Sequence, residues 1–385
     1  MTIGFAKIPA RAMRAFVIAV LITLVAVGWA DRLAQAQTCG PFGDPPATFI
    51  SSPKPYCWGG ERLGPWNDSD GNPRYACLYE PDSAAANNRL PLLVFIHPSL
   101  VPAGSVRITN LLRYLDSANL SNNPSKPGFI LLVPQGRKTT HYYPFPDNRG
   151  YGWDNWYRQF NPTGDVVIGG VTYKENVDAA AIDEFIAKAI ATGKVDTDRI
   201  YVTGWSNGAA MAYLYALNRP KVAAIAVYSA ANPFGMLADP CPQKPVTTTP
   251  TDNSQIRIFN SGLPVMHLYN NCDVAGICRN AQHLASQLQP LGVEVNDTII
   301  NSFMTKTDSC LDSCGTDPNG DASVLSNPLG ASLGLVNHAR WPFGWTPEML
   351  DFLRRHPLSA RKPLKADINK SQSAGHLSSA ELADN

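Results

Sequence analysis

The stretch "RIYVTGWSNGAAMAYLYALNR", residues Arg199–Arg219, joins an apolar run to a helical pattern, with Ser206 between two glycines at the junction. The branched and aromatic residues before the serine predict a buried strand, and those after it predict a helix. Gly204 and Gly208 lack a Cβ atom, so neighbouring backbone can approach closely while Ser206 is held in a strained turn. This context makes the G-x-S-x-G pattern typical of an exposed nucleophile; a tight turn with a solvated serine is the alternative.

Short apolar runs of the same kind recur along the chain and set the fold class. They are "RLPLLVFIHP" (Arg89–Pro98), "FILLVPQG" (Phe129–Gly136), "RIYVTGWS" (Arg199–Ser206), "VAAIAVYSAA" (Val222–Ala231) and "LPVMHLYN" (Leu263–Asn270). Continuous apolarity is typical of strands buried on both faces, as in a parallel sheet. Helical stretches lie between the runs, most clearly Glu175–Gly193. This alternation predicts an α/β fold with a mainly parallel sheet flanked by helices.

The two ends of the chain differ in composition from the middle. Residues 1–36 predict a secretory signal peptide: basic residues precede an apolar run, and "AQA" at 34–36 offers a cleavage site. An uncleaved anchor is the alternative, but the run is shorter than the roughly 20 residues that span a bilayer. Residues 37–88, rich in Cys, Pro and Gly, predict an N-terminal extension. We expect residues 89–360 to form the catalytic domain. The polar composition of residues 361–385 predicts a disordered tail.

Composition limits the partners. A formal net charge of +1 over 385 residues gives no electrostatic reason to expect a nucleic acid. We expect an exported protein, periplasmic or secreted, that is monomeric and has no stable membrane association once the signal is removed. The sequence contains no "HExxH" or clustered His/Asp motif, so we expect neither a metal nor a cofactor.

All eight cysteines follow the predicted cleavage site, which favours disulfides in an oxidising compartment and a disulfide-rich extension. Two pairs are close enough in sequence to close small loops, Cys272 with Cys278 and Cys310 with Cys314. A zinc site is the alternative for these four residues, although neither spacing comes with a matching histidine pair.

A serine nucleophile requires a histidine base and an acid, which follow it in the order Ser, Asp or Glu, His when it stands on such a turn. His338 lies in "GLVNHARWP", which we interpret as a loop before the helix "TPEMLDFLRRH". Asp273 lies just past a predicted strand in "PVMHLYNNCDVAGIC". Asp308 and Asp312 are the alternatives for the acid.

The negative oxygen of a tetrahedral intermediate needs backbone N–H donors, one from the residue after the nucleophile and one from the loop after an earlier strand. Asn207 supplies the first. In "IHPSL" Pro98 has no N–H, so the second is assigned to Ser99.

Aromatic residues are frequent in "HYYPFPDNRGYGWDNWYRQF" and around the predicted nucleophile and base. They suit an apolar wall for a substrate chain, and the residues assigned to it are Trp153, Trp156, Trp205 and Trp341. The alternative is that these side chains pack the core or support a loop.

From Leu92 to about Pro357, the order of "LVFIHPS", "VPQGR", "GWDNWYR", "DRIYVTGWSNGAAMAYLYA", "HLYNNCD" and "NHARWPFGWTPEMLDFLRRHP" resembles the polyhydroxyalkanoate depolymerase and feruloyl esterase group of α/β-hydrolases. The resemblance implies an α/β-hydrolase fold with Ser206 as nucleophile, Asp273 as acid and His338 as base. The chain departs from the group in having Pro98 after His97, and Ala209 where a second glycine is usual.

Within this wider group the chain is most similar to the oxidised poly(vinyl alcohol) hydrolases, which are exported serine hydrolases of comparable length. This similarity implies hydrolysis of β-diketone units in a polymer-derived or small carbonyl substrate through an acyl-enzyme. A carboxyl-ester hydrolase of the polyester depolymerase or feruloyl esterase type is the first alternative. An inactive α/β-hydrolase that serves as a binding protein is the second.

Overall fold

The computed structural model describes residues 49–69, 71–139, 151–153, 166–168, 171–173, 176–233, 258–260, 262–274, 277–301, 307, 309–311 and 328–361. The predicted signal peptide and the polar tail from residue 362 lie outside these described residues.

The strands are β1 (Phe49–Ser51), β2 (Glu61–Asn67), β3 (Pro73–Tyr79), β4 (Leu90–Ile96), β5 (Ile130–Pro134), β6 (Arg137–Thr139), β7 (Tyr151–Gly152), β8 (Val166–Ile168), β9 (Val171–Tyr173), β10 (Val195–Trp205), β11 (Ala224–Tyr228), β12 (Pro264–Asn270) and β13 (Glu294–Ile300). The α-helices are α1 (Val177–Ala191), α2 (Asn207–Leu217), α3 (Ile277–Leu288), α4 (Pro328–His338) and α5 (Thr346–Arg355). Short 3-10 helices cover Ala103–Ile108, Leu111–Tyr114, Gln289–Leu291, Phe343–Trp345 and Leu358–Ala360.

The main sheet has eight strands in the order β13-β12-β11-β10-β4-β5-β3-β2. The six strands from β13 to β5 are parallel to their neighbours, whereas β3 is antiparallel to both β5 and β2. All five apolar runs identified in the sequence become strands of the parallel part. The predicted α/β fold with a mainly parallel sheet is therefore confirmed.

Helices cover both faces of this sheet, as continuous apolar strands require. On one face Val94 and Val202 pack with Phe185 of α1 and Leu214 of α2. On the other face lie Phe95 and Tyr201 of the sheet, with Trp341 and with Phe352 of α5. Strands buried from both sides form a rigid platform that positions the described residues directly after their carboxyl ends.

The segment predicted as an N-terminal extension contributes β2 and β3 to the edge of the main sheet, and the Cys57–Cys77 disulfide attaches the preceding chain to β3. Arg74 on β3 is fully buried. Its Nη2 lies 2.6 Å from Asp178 Oδ1 on α1, and its Nη1 lies 3.3 Å from Asp68 Oδ2. A buried guanidinium needs such carboxylate partners, and these pairs join the edge strands to the first helix.

Within the described part of the chain, no helix combines the length and the apolar character needed to cross a membrane.

Candidate active site

Ser206 occupies the sharp turn between β10 and α2. Its φ of 57° and ψ of −125° are strained for a residue with a side chain. The glycines permit this turn: a Cβ on Gly204 would lie 2.4 Å from Gly208 O, and one on Gly208 would lie 2.2 Å from Ile96 O. The main sheet, the reversed β3 and this strand–serine–helix turn confirm the predicted α/β-hydrolase fold.

The structure brings the three predicted catalytic side chains into one hydrogen-bonded row. Ser206 Oγ lies 2.6 Å from His338 Nε2, and His338 Nδ1 lies 2.7 Å from Asp273 Oδ1. Since a carboxylate can only accept, Nδ1 carries the imidazole proton and Nε2 is free to accept from the serine. Asp273 is buried, and its Oδ1 also accepts from the Val274 N–H at 2.8 Å. Asp308 and Asp312, the alternative acids, lie outside the described residues.

His338 is the last residue of α4, not part of a loop as the sequence suggested. Its backbone is held by residues that neighbour other members of the row. The Trp205 indole N–H donates to His338 O at 2.8 Å, and the Tyr228 hydroxyl donates to Asn337 O at 2.7 Å. The Asn337 amide in turn donates to Cys272 O at 2.8 Å.

Sequence reasoning missed Ser229. This buried residue follows β11, and its hydroxyl contacts both the second oxygen of Asp273 and the Nδ1 atom of His338. Its immediate sequence, "VYSAAN", carries no motif, so only the sheet order could have drawn attention to it.

The two N–H groups predicted as oxyanion donors are without a hydrogen-bond acceptor in the described part of the chain. Among the described residues, neither Ser99 N–H nor Asn207 N–H donates a hydrogen bond, whereas the next N–H along, that of Leu100, donates to Tyr151 O at 2.8 Å. Asn207 begins α2, where the first N–H groups have no partner within the helix. Because the start of α2 packs against the backbone that leads to Ser99, this pair suits the predicted oxyanion donors.

His97 holds the loop that carries Ser99. Its Nδ1–H donates to Pro98 O at 2.8 Å, and its Nε2 accepts from the Gly136 N–H at 2.9 Å. Burial lowers the pKa of His97 to about 4, which keeps the ring neutral and preserves this pattern of one donor and one acceptor. His97 therefore supports the site without serving as its base.

Three of the four tryptophans assigned to substrate contact are described, and they support the site from within instead of forming an open wall. Trp153, Trp205 and Trp341 are buried, and each uses its indole N–H inside the protein. Trp153 donates to His97 O at 2.8 Å, and its backbone N–H donates to Asn207 Oδ1 at 2.9 Å. Their assignment to substrate contact is corrected to this supporting role, because buried indoles with satisfied N–H groups face the protein. Trp156 lies outside the described residues.

The predicted short-range disulfides are wrong. Cys278 pairs with Cys310, not with Cys272, and the two Cα atoms are 5.7 Å apart. Cys310 therefore does not pair with Cys314, which lies outside the described residues. The reason is tertiary: the Leu311 N–H donates to Asn271 O at 2.8 Å and brings residues 309–311 back beside the start of α3. Cys272 is also disulfide-bonded.

No family model and no curated protein matches the chain. Similar solved structures include a thermostable esterase, with 16% identity over 78% of this chain and 64% of that chain at a TM-score of 0.42. Another is a carboxylesterase from Mesorhizobium loti, with 16% identity over 63% of this chain and 90% of that chain, at a TM-score of 0.39. A third is Thermogutta terrifontis esterase 2 phosphoramylated by tabun, with 12% identity over 64% of this chain and 84% of that chain, at a TM-score of 0.43. The chain thus spans less than two thirds of the thermostable esterase. Because function resides in the site and not in the fold, the chemistry of this chain must be derived from its own side chains.

Proposed function

We propose that the protein is an exported serine hydrolase that cleaves a carbonyl substrate through an acyl-enzyme on Ser206. The observation that carries the proposal is the 2.6 Å contact of Ser206 Oγ with His338 Nε2, in line with Asp273. A serine hydroxyl is a weak nucleophile, and a histidine in hydrogen-bond contact activates it.

The first step follows from this geometry. Ser206 Oγ adds to the substrate carbonyl while its proton moves to His338 Nε2, and Asp273 stabilises the imidazolium that forms. The carbonyl oxygen becomes negative, and the N–H groups of Ser99 and Asn207 donate to it. Both donors are backbone groups fixed by the fold, so they need not reorganise when the charge develops.

The leaving group decides the substrate class. We propose a β-diketone unit of oxidised poly(vinyl alcohol), supported by the sequence resemblance. In that reaction the C–C bond breaks, the carbon leaves with the electron pair as an enolate, and His338 returns the proton to it. Water, deprotonated by His338, then attacks the acyl-enzyme and releases a carboxylic acid. A carboxyl ester follows the same course with an alkoxide as leaving group, and is the alternative that this geometry serves equally.

The geometry favours an enzyme over an inactive binding protein, because a binding protein gains nothing from the strained Ser206 backbone.

Replacing Ser206 by Ala should reduce kcat for a p-nitrophenyl ester by at least about 10⁴-fold. Ser105→Ala is a matched control, since Ser105 is buried and its hydroxyl has no hydrogen-bond partner among the described residues. Wild-type turnover by the Ser206 variant would refute the nucleophile.

The substrate class requires a separate comparison. Acid release should be measured side by side from oxidised poly(vinyl alcohol), poly(3-hydroxybutyrate) and a feruloyl ester, with Ser206→Ala as the blank. We expect turnover of the first. Turnover of the two esters alone would replace the β-diketone proposal by carboxyl-ester hydrolysis.

A further inference from the structure

Ser229 stands at the point of the sheet where the candidate nucleophile and acid converge. It directly follows β11, which lies between β10, leading to Ser206, and β12, leading to Asp273. Its backbone N–H donates to Leu268 O on β12 at 2.8 Å, and the residue is fully buried. Sheet order thus holds the Ser229 hydroxyl in place beside the acid.

The Ser229 hydroxyl contacts both members of the acid–histidine pair. Its O–H donates to Asp273 Oδ2 in a short hydrogen bond, and its Oγ lies 3.0 Å from His338 Nδ1. The Nδ1 proton therefore points between two acceptors, Asp273 Oδ1 and Ser229 Oγ. Ring and carboxylate are each fixed at two points, which sets their relative orientation as well as their distance.

The buried carboxylate depends on this hydroxyl. Among the described residues no lysine or arginine forms an ion pair with Asp273, and Ser229 is the only donor to its Oδ2. Its Oδ1 accepts from Val274 and His338 instead. A buried carboxylate oxygen is costly to leave without a donor, so each oxygen of Asp273 needs its own.

The backbone of Ser229 indicates that the hydroxyl has a role beyond packing. Its φ is 60°, a region that favours glycine and costs a serine on the order of 1 kcal/mol. Glycine would adopt this backbone without strain, but it would leave Asp273 Oδ2 without a donor.

From these contacts we propose that Ser229 is a positioning residue, which orients the Asp273 carboxylate and so aligns His338 with Ser206. This inference rests on the proposed serine hydrolase function. Ser229 touches neither the nucleophile nor the substrate in this role, and acts only through the acid and the base.

Ser229→Gly is the informative variant, because glycine suits the backbone and the change removes only the hydroxymethyl group. We expect kcat for a p-nitrophenyl ester to fall roughly 10- to 100-fold, the effect of removing a buried hydrogen bond to a charged group. KM should stay within about twofold, because Ser229 does not touch the substrate. Asn122→Gly is the control, since Asn122 also has a positive φ, of 58°, but lies exposed near Arg354.

A double-mutant cycle separates positioning from a general structural role. In an Asp273→Ala background there is no acid to orient, so adding Ser229→Gly should change kcat by less than about twofold. An equal loss in both backgrounds, or wild-type kcat in Ser229→Gly, would overturn the proposal. Ser206→Ala is measured alongside: if it retains activity, the serine hydrolase function itself fails, whereas an inactive Ser206→Ala with a fully active Ser229→Gly refutes only the role of Ser229.

Discussion

At the scale of single residues, His338, the proposed base, is fixed through its main chain as well as through its ring. Trp205 precedes the nucleophile and its indole N–H donates to His338 O at 2.8 Å. A shift of either residue would therefore displace the other, and the Oγ–Nε2 contact would change with it. The site thus contains a link between the proposed nucleophile and base that does not pass through Asp273.

Replacing Trp205 by Phe keeps most of the ring and removes this N–H donor. We expect kcat to fall about 3- to 10-fold, in line with the loss of one net hydrogen bond, while KM stays within about twofold. Steady-state kinetics on a p-nitrophenyl ester measure both. Trp58→Phe, the same change at an exposed position, is the control, and equal kcat for the two variants would contradict the link.

The sequence revealed some of these residues and concealed others. The position of Ser206 was predictable because the residues next to it in the chain indicate the turn. His338 and Asp273 could be selected because the order Ser, Asp, His restricts which histidine and which carboxylate can take part. Ser229 was not, since it meets Asp273 and His338 across 44 and 109 residues, and nothing local marks its positive φ.

At the scale of elements, the contact between the start of α2 and the end of β4 sets the geometry of the site. A Cβ on Gly208 would lie 2.2 Å from Ile96 O and 2.4 Å from His97 O. These are backbone atoms of a buried strand end and cannot move aside as a flexible side chain would. The glycine therefore fixes how closely the nucleophile approaches the loop that carries Ser99.

Gly208→Ala tests this packing, because two effects of the change have opposite signs. Helix propensity alone would make alanine about 1 kcal/mol better than glycine. The clash should prevail and lower the free energy of unfolding by roughly 1 to 3 kcal/mol, with loss of the proposed hydrolase activity. Urea unfolding measures the first effect. Gly344→Ala is the control, since a Cβ there meets nothing within 4 Å, and its stability should change by less than about 0.5 kcal/mol.

Elements were predicted well where their pattern is continuous and poorly where long-range contacts decide. Glu294–Ile300 becomes β13 although it is polar along much of its length, because it pairs as an edge strand with β12. The Cys278–Cys310 bond spans 32 residues, and no spacing rule selects it over shorter loops.

At the scale of the whole molecule, two buried histidines make stability depend on pH. Burial lowers the pKa of His267 to about 3 and that of His97 to about 4, from 6.5. At pH values between each folded pKa and 6.5, the unfolded chain binds a proton on that histidine that the folded chain excludes. This contribution to the free energy of unfolding is fully present above pH 6.5 and is lost progressively as the pH falls from 6.5 to the folded pKa values, by about 1.4 kcal/mol per pH unit and group.

His267→Leu should remove one of these two contributions. Both ring nitrogens of His267 lack partners among the described residues, so the change breaks no hydrogen bond there. The variant should gain roughly 2 kcal/mol over the wild type between pH 7 and pH 5. Urea unfolding at both pH values measures the difference, with Met266→Leu, a neighbour without a titratable group, as control. A difference that does not change with pH would contradict the prediction.

The Arg74–Asp178 ion pair also affects how the chain reaches this structure. The pair joins residues that are 104 positions apart in the chain. Strand β10, which pairs with β4 in the sheet, follows α1 in the sequence. While a chain is being made from its N-terminus, β3 carries a guanidinium whose partner on α1 does not yet exist. Asp68 is then the only one of its two carboxylate partners already present, so Arg74 can be buried with both partners only after α1 has been made. We therefore expect the edge strands β2 and β3 to dock fully only after the chain has been made as far as α1.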